Sequence, residues 1–330
     1  MTITAFRNAE LAFDWALVHL IGLSLLAISV ASATEPPDSY VPNEVYRSPD
    51  ATASVESLGS GVYLFRWWPG LYVSPFLVGE QGVLAVDPIN EEVAELYRMG
   101  IAAVTDSPVT KILYSHDHQD HIAGARVLAP DAQRIAHPGT AKAVASWANP
   151  SIPAPTILVS DGDRVSVGQR SVGVHYFGPN HGDSNLALSF ETSDGMMLVM
   201  VDTIEIGITP YRSLPDTHFH GYLTSLEQAM ELQPRWVLGG HSGPGPGIWL
   251  NNFHQYFLDM RTALLAAETE VIQPPANPDE DFIDTSERHI DAIIKYTVDT
   301  LRPSYGHWRG FEQWAPMNAQ TIRMAIIIGK

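Results

Sequence analysis

A mixed α/β fold of the α+β kind, with two strand-rich halves around a histidine-rich loop and a helical extension behind them, is what the sequence predicts. Three observations predict it. Short apolar runs bounded by Gly, Pro and Asp recur between residues 61 and 87 and again between 156 and 201, as strands do. The first set leads through a helical segment into a strand that ends in HDHQDH at residues 116–121. Near the end of the chain, Ile290, Ile293, Ile294, Val298 and Leu301 fall on one helix face. With 330 residues and 45% hydrophobic content, there is enough apolar material for a sizeable core.

Taken in order, residues 1–33 hold Arg7, Glu10 and Asp14, then an apolar run from Ala16, and end in the small-x-small triplet Ala31-Ser32-Ala33. This predicts a signal peptide cut after Ala33 and a periplasmic or secreted product; an uncleaved membrane anchor is the alternative. Residues 34–57, rich in Pro, Ser, Asp and Glu, predict an extended lead-in. The main domain runs over 58–270. In it VYLFRWW, SPFLVGE and GVLAVDP read as strands, the second pair turning across Glu80-Gln81-Gly82 and ending at Asp87. Val93, Leu96, Tyr97 and Ile101 mark a helix, and Val109 to Tyr114 a buried strand. RIAHP then reads as a strand and TAKAVASWA as a helix, with His137 as a turn residue beside Pro138. TILVS, DRVSVG, SVGVHYFG, NLALSFE and MMLVMVD form the second strand set, followed by a helix from Thr224 to Leu232 and the strand WVLGG. Residues 271–330 form the helical extension, a cap or a homodimer contact, opening with the linker PPANPDEDF.

Composition excludes several functions. Thirty-seven acidic residues against 19 basic ones give a formal charge of −18, and loss of Arg7, Glu10 and Asp14 with the leader leaves −17. Contact with phosphate backbones needs clustered cations, so nucleic acid is not the expected partner. No cysteine is present, so disulfides and thiolate ligands are ruled out and any metal must sit on His, Asp or Glu.

His116, His118, Asp120 and His121 leave one strand end together, and a tight loop can converge imidazole and carboxylate donors on a point. The second half adds His181 after SVGVHYFG, Asp202 after MMLVMVD and His241 after WVLGG, each beside a turn. One such residue is ordinarily a cap or turn former. Three of them, in a chain that already carries the cluster, point to a shared metal site.

These residues resemble the metallo-β-lactamase superfamily of metal-dependent hydrolases. The match is His116-x-His118-x-Asp120-His121, then His181, Asp202 and His241 in order, and it spans roughly Gly59 to Glu270. The resemblance implies a four-layer αββα sandwich. It implies a metal pair, His116, His118 and His181 holding the first ion, Asp120, His121 and His241 the second, and Asp202 bridging them. Asp87 would support the loop from behind. Zinc is the implied metal, two ions per chain, with iron or manganese as alternatives. Asp120 would orient the attacking water and shuttle its proton, or serve as a ligand alone. The bridging Asp202 resembles glyoxalase II and the acyl-homoserine lactonases. The expected function is hydrolysis of a lactone, lactam, ester or thioester in a small carbonyl substrate. The alternatives are an iron-dependent, persulfide dioxygenase-like oxidoreductase of the same fold and a zinc β-lactamase proper. Trp67 and Trp68, in an apolar flap, and Tyr211, His218 and His220, in the loop after Asp202, are the expected pocket residues.

Overall fold

The computed structural model describes residue 40 and residues 42–147, 149–275, 277 and 279–329. The predicted signal segment 1–33, with its cleavage point, lies outside them. The first half contains β1 (Asn43–Arg47), β2 (Ala53–Gly59), β3 (Val62–Trp67), β4 (Tyr72–Gly79), β5 (Gly82–Val86), α1 (Glu91–Ala102) and β6 (Val109–Leu113). Then come α2 (Gln119–Ile122), α3 (Ala125–Leu128), β7 (Gln133–Ala136), α4 (Pro138–Ser146) and β8 (Ile157–Leu158). The second half contains β9 (Arg164–Val167), β10 (Arg170–His175), β11 (Ala187–Thr192), β12 (Gly195–Val199), α5 (Phe219–Glu231), β13 (Trp236–Leu238) and β14 (Gly245–Pro246). Three helices follow, α6 (Trp249–Glu270), α7 (Phe282–Tyr305) and α8 (Phe311–Ile328).

Strands β1 to β8 pair in sequence order into one sheet, antiparallel up to β5 and parallel beyond it. The other sheet runs β14-β13-β12-β11-β10-β9, with β12 and β13 parallel. Successive side chains on a strand point to opposite faces, and both faces of both sheets are apolar. Leu64, Leu84, Val86 and Leu113 therefore meet Val172, Leu188, Phe190 and Val199 between the sheets. Their neighbours Phe65, Val83, Ala85 and Ile112 face outward onto Val93 and Tyr97 of α1, Ile122 of α2 and Val144 of α4. Beyond the second sheet, Leu198 and Val237 pack on Leu226 of α5, Phe257 of α6, Leu301 of α7 and Ile322 of α8. Four layers, αββα, result.

Three boundaries differ from expectation. Much of the lead-in pairs into the first sheet as β1 and β2, which its composition disguises because Ser54 and Glu56 are buried strand residues. Glu56 is tolerated there because Arg66 reaches it at 3.2 Å. The strand MMLVMVD stops at Val199, so Asp202 stands two residues clear of it in a turn. The helix expected from Thr224 begins at Phe219. No helix among the described residues is long and apolar enough to cross a membrane.

The extension grips the loop that follows Asp202. Asn318 of α8 is fully buried, accepts from the Tyr256 hydroxyl at 2.7 Å, and donates to the carbonyls of Pro210 at 3.1 Å and Arg212 at 2.6 Å. Asn318→Leu leaves three polar groups, two of them buried, without this partner and is expected to lower unfolding stability by about 3 kcal/mol. Denaturant unfolding checks this; a change under about 0.5 kcal/mol would show that the loop is held elsewhere.

Candidate metal centre

The loop after β6 is set from behind by Asp87. Its carboxylate accepts from the Ser115 amide at 2.8 Å and from the Ser115 hydroxyl at 2.6 Å. The Ser115 hydroxyl oxygen lies 2.9 Å from His116 Nδ1. A hydroxyl has one proton, and Asp87 takes it, so the oxygen must accept from His116 Nδ1–H. The His116 tautomer is thereby fixed, with the Nε2 lone pair free for an ion. Asp87 is buried, and burial pushes its carboxyl up to about 6, opposed by His121 and the two bonds from Ser115.

Backbone strain is concentrated around this loop. Asp87, Ile89 and Asp202 all have positive φ, at 37°, 66° and 59°. For a β-branched residue such as Ile89 that conformation is costly, on the order of 1–3 kcal/mol. Ile89 is held there by its amide to the His121 carbonyl at 2.7 Å and by Gly124 N to its own carbonyl at 3.1 Å. From the first half, β4 reaches across to the His241 loop, Val73 N donating to Gly240 O at 3.0 Å. Gly240 has to be glycine, because a Cβ would stand 2.5 Å from Asp202 Oδ1.

Seven donors meet at the sheet ends in two groups, His116, His118, His181 and Asp202, and Asp120, His121 and His241. Within each group the ligand atoms lie within 4.8 Å of one another. Asp202 joins the groups: its Oδ2 is 3.6 Å from His116 Nε2, 3.6 Å from His181 Nε2 and 3.2 Å from His121 Nε2. Its Oδ1 is 3.2 Å from His241 Nε2. Two donors on one tetrahedral ion, each about 2.0–2.1 Å from it, stand roughly 3.3 Å apart, so these spacings suit shared cations.

The polar atoms also lack other uses. His116 Nε2, His121 Nε2 and Asp202 Oδ1 are buried without a partner in hydrogen-bond alignment. Buried polar atoms of that kind are rare and each needs a reason. A divalent ion supplies one for all three. Burial drives His116 well below the usual imidazole range and His181 down to about 4, which keeps both neutral and able to ligate. Burial also acts to lower His121, but Asp202, Asp87 and Asp120 outweigh it and raise the imidazole to about 9.

A cavity of about 720 Å³ opens over the donors and is lined by His118, Asp120, His181, Asp202 and His241. Tyr211 lines it as expected, and so does the Gly70–Leu71 end of the flap. Trp67, Trp68, His218 and His220 do not. Trp67 packs beneath the flap turn, where a Gly70 Cβ would strike its ring. Trp68 lies against the Arg66 guanidinium, 4.8 Å from its ring centroid. His218 sits at the start of α5 with Nε2 2.8 Å from Asp183, and His220 is exposed on that helix. His137 caps α4, accepting from Gly139 N at 3.1 Å.

Tyr72 and Glu205 are the residues that sequence reasoning misses. The Tyr72 hydroxyl donates to Asp120 Oδ2 at 2.8 Å, and its ring stands edge-on to His241 at 4.4 Å. Glu205 is buried behind His241 and accepts from the amides of Gly240 and His241 at 3.1 and 3.0 Å. Burial pushes its carboxyl up to about 7. Tyr72, just past the Trp67–Leu71 flap, had a local signal; Glu205 had none, since its partners are about 35 residues away in sequence.

Compared with known families, residues 68–241 fit the metallo-beta-lactamase superfamily. Among curated proteins, the 2,4-dinitroanisole O-demethylase subunit alpha of Nocardioides sp. (strain JS1661) is 31% identical over 176 residues, 52% of this chain and 53% of that one. The chain thus spans about half the length of this curated relative. Solved metallo-beta-lactamases from Pontibacter korlensis and Erythrobacter litoralis superpose with TM-scores of 0.52 and 0.54 at 16% and 17% identity. They cover 62% and 65% of this chain and 99% of their own lengths. One from Hirschia baltica gives 0.52 at 15% identity, covering 62% of this chain and 96% of its own. These three share the fold.

Two outcomes are expected of the donors. Asp202→Ala removes the donor common to both groups and should leave less than one ion per chain after dialysis, where the parent protein keeps two. Elemental analysis reads this, and two retained ions would show that the groups do not depend on Asp202. Below about pH 9 His121 carries a proton that a cation must displace, so metal affinity should rise from about pH 6 to about pH 9, with proton release at neutral pH. Calorimetry in buffers of different ionisation enthalpy measures both; flat affinity across that range would contradict the assignment.

Proposed function

The chain belongs to the metallo-beta-lactamase superfamily, and from that premise we propose that it is a metal-dependent hydrolase using a zinc pair to open the carbonyl of a small lactone, lactam, ester or thioester. The observation that carries this reading is the position of Asp202, whose two oxygens face imidazoles of both donor groups at 3.2 to 3.6 Å. Divalent cations held by His116, His118, His181 and Asp202 and by Asp120, His121 and His241 would lower the pKa of a bound water and polarise the substrate oxygen.

This chain's own residues do the rest. Tyr72 fixes Asp120 at the cavity edge. Asp120 is placed to take the proton that the water gives up and to return it to the departing oxygen, nitrogen or sulfur, so one water is consumed per bond opened. Glu205 holds the His241 turn through two backbone amides. Leu71, Ile208, Pro210, Tyr211 and Trp314 form apolar walls that fit a hydrophobic substrate.

A second reading follows from the O-demethylase relative. An aryl methyl ether made electrophilic by electron-withdrawing groups could meet the same water at its ring carbon, giving a phenol and methanol. The aromatic wall of Tyr211 and Trp314, 5.2 Å apart edge to face, suits such a ring. Export rests on the sequence of residues 1–33 alone, and N-terminal sequencing of recovered protein tests it.

Zinc-loaded protein should be assayed against lactones, a chromogenic cephalosporin, thioesters, 2,4-dinitroanisole and phosphodiesters, with Asp120→Ala alongside. We expect turnover of a carbonyl substrate or of the aryl ether, reduced on the order of a thousandfold in Asp120→Ala. Turnover of phosphodiesters alone, or an Asp120→Ala protein of near-normal rate, would overturn the proposal.

A further inference from the structure

The cavity has walls of two origins. Tyr72, His118, Asp120, Asp202 and His241 lie within residues 68–241, the stretch that fits the family. Phe253 of α6, and Arg309, Gly310, Gln313 and Trp314 at the turn from α7 into α8, lie beyond it. Together with α6, the helical extension thus builds one side of the chamber.

That side is fastened to the loop that leaves Asp202. Arg309 N donates to Gly207 O at 2.9 Å, and Arg309 O accepts from Thr209 N at 3.0 Å. Gly310 then turns with φ of +81°, and Trp314 closes against Tyr211. With the Asn318 bonds to Pro210 and Arg212, these contacts fix where the Arg309 side chain begins.

Among the described residues that line the cavity, Arg309 is the only lysine or arginine. The carboxylates there are already engaged, Asp120 by Tyr72, Asp202 by imidazoles and Glu205 by backbone amides. Among the described residues the Arg309 guanidinium makes no hydrogen bond or ion pair, whereas nearby Arg302 is bound by both Asp299 and Glu312. A guanidinium is permanently charged and its planar fork matches a carboxylate. The net charge of −18 does not cancel this attraction, because exposed charges beyond about 8 Å are largely screened at physiological salt.

We infer that the extension is the recognition wall of this enzyme, and that Arg309 takes the anionic end of a substrate whose middle is apolar and whose other end carries the reacting carbon. The substrate class is an amphiphilic carboxylate with its scissile bond across the cavity from the charge. This inference rests on the hydrolytic reading above and narrows it.

Zinc-loaded protein is assayed with the 4-nitrophenyl monoester of glutaric acid and with neutral 4-nitrophenyl valerate, in the parent, Arg309→Ala and Arg309→Lys forms. Arg309→Ala should raise KM roughly tenfold for the anionic ester, leave the neutral ester and both kcat values nearly unchanged, and be partly rescued by lysine. Equal shifts for the two esters, or none, would overturn the inference. Calorimetric binding of the stable anilides of the same two acids separates recognition from chemistry. If neither ester turns over but the anionic anilide binds more tightly and loses that advantage in Arg309→Ala, recognition stands and hydrolysis falls. Equal binding of both anilides to the parent protein sinks the recognition claim.

Discussion

Asp202 is a carboxylate enclosed by four imidazoles, and the rest of the structure follows from the need to keep it there. Burial alone would raise its pKa, yet His121 and His241 hold it well below the usual carboxylate range. Its backbone is in the left-handed region, it stands clear of β12, and Gly240 leaves room beside it. A carboxylate in that setting is stable only if the surrounding donors share positive charge, and cations held between them do this directly.

The two sheets make the convergence possible. Donors come from the loop after β6 and from turns after β10, β12 and β13, all at one end of the sandwich. Apolar residues on both faces of each sheet keep those strand ends from shifting. The strain at Asp87, Ile89 and Asp202 is maintained by that rigidity, and separately the hydrogen bonds from Ser115 to Asp87 and from His116 to Ser115 fix the His116 tautomer.

Much of this was legible in the sequence for a physical reason. Donors that follow short apolar strands are placed by strand geometry, so His116, His118, Asp120, His121, His181, Asp202 and His241 could be read from residue type and position. Glu205 could not, because its role arises from pairing between distant segments, and Tyr72 could be placed beside the flap but not paired with Asp120. Trp67 and Trp68 misled because a flap residue can turn beneath the flap or onto a neighbouring arginine, which local sequence does not decide. Polar composition hid β2, whose buried Glu56 is answered by Arg66 from β3. No prediction covers α6, although its buried Leu250, Phe253, Phe257, Met260 and Leu264 follow helical spacing. Outside α6, the fold was readable where hydrophobic period dominates, and unreadable where a polar group was satisfied at long range.

The extension ties substrate recognition to the same framework, since the loop it clamps begins at the turn that carries Asp202. The direct test of the central claim is anomalous diffraction at the zinc edge from a crystal of zinc-loaded protein. Two peaks flanking the Asp202 carboxylate are expected, one among His116, His118 and His181 and the other among Asp120, His121 and His241. A single peak away from Asp202, or none with all seven donors intact, would contradict it.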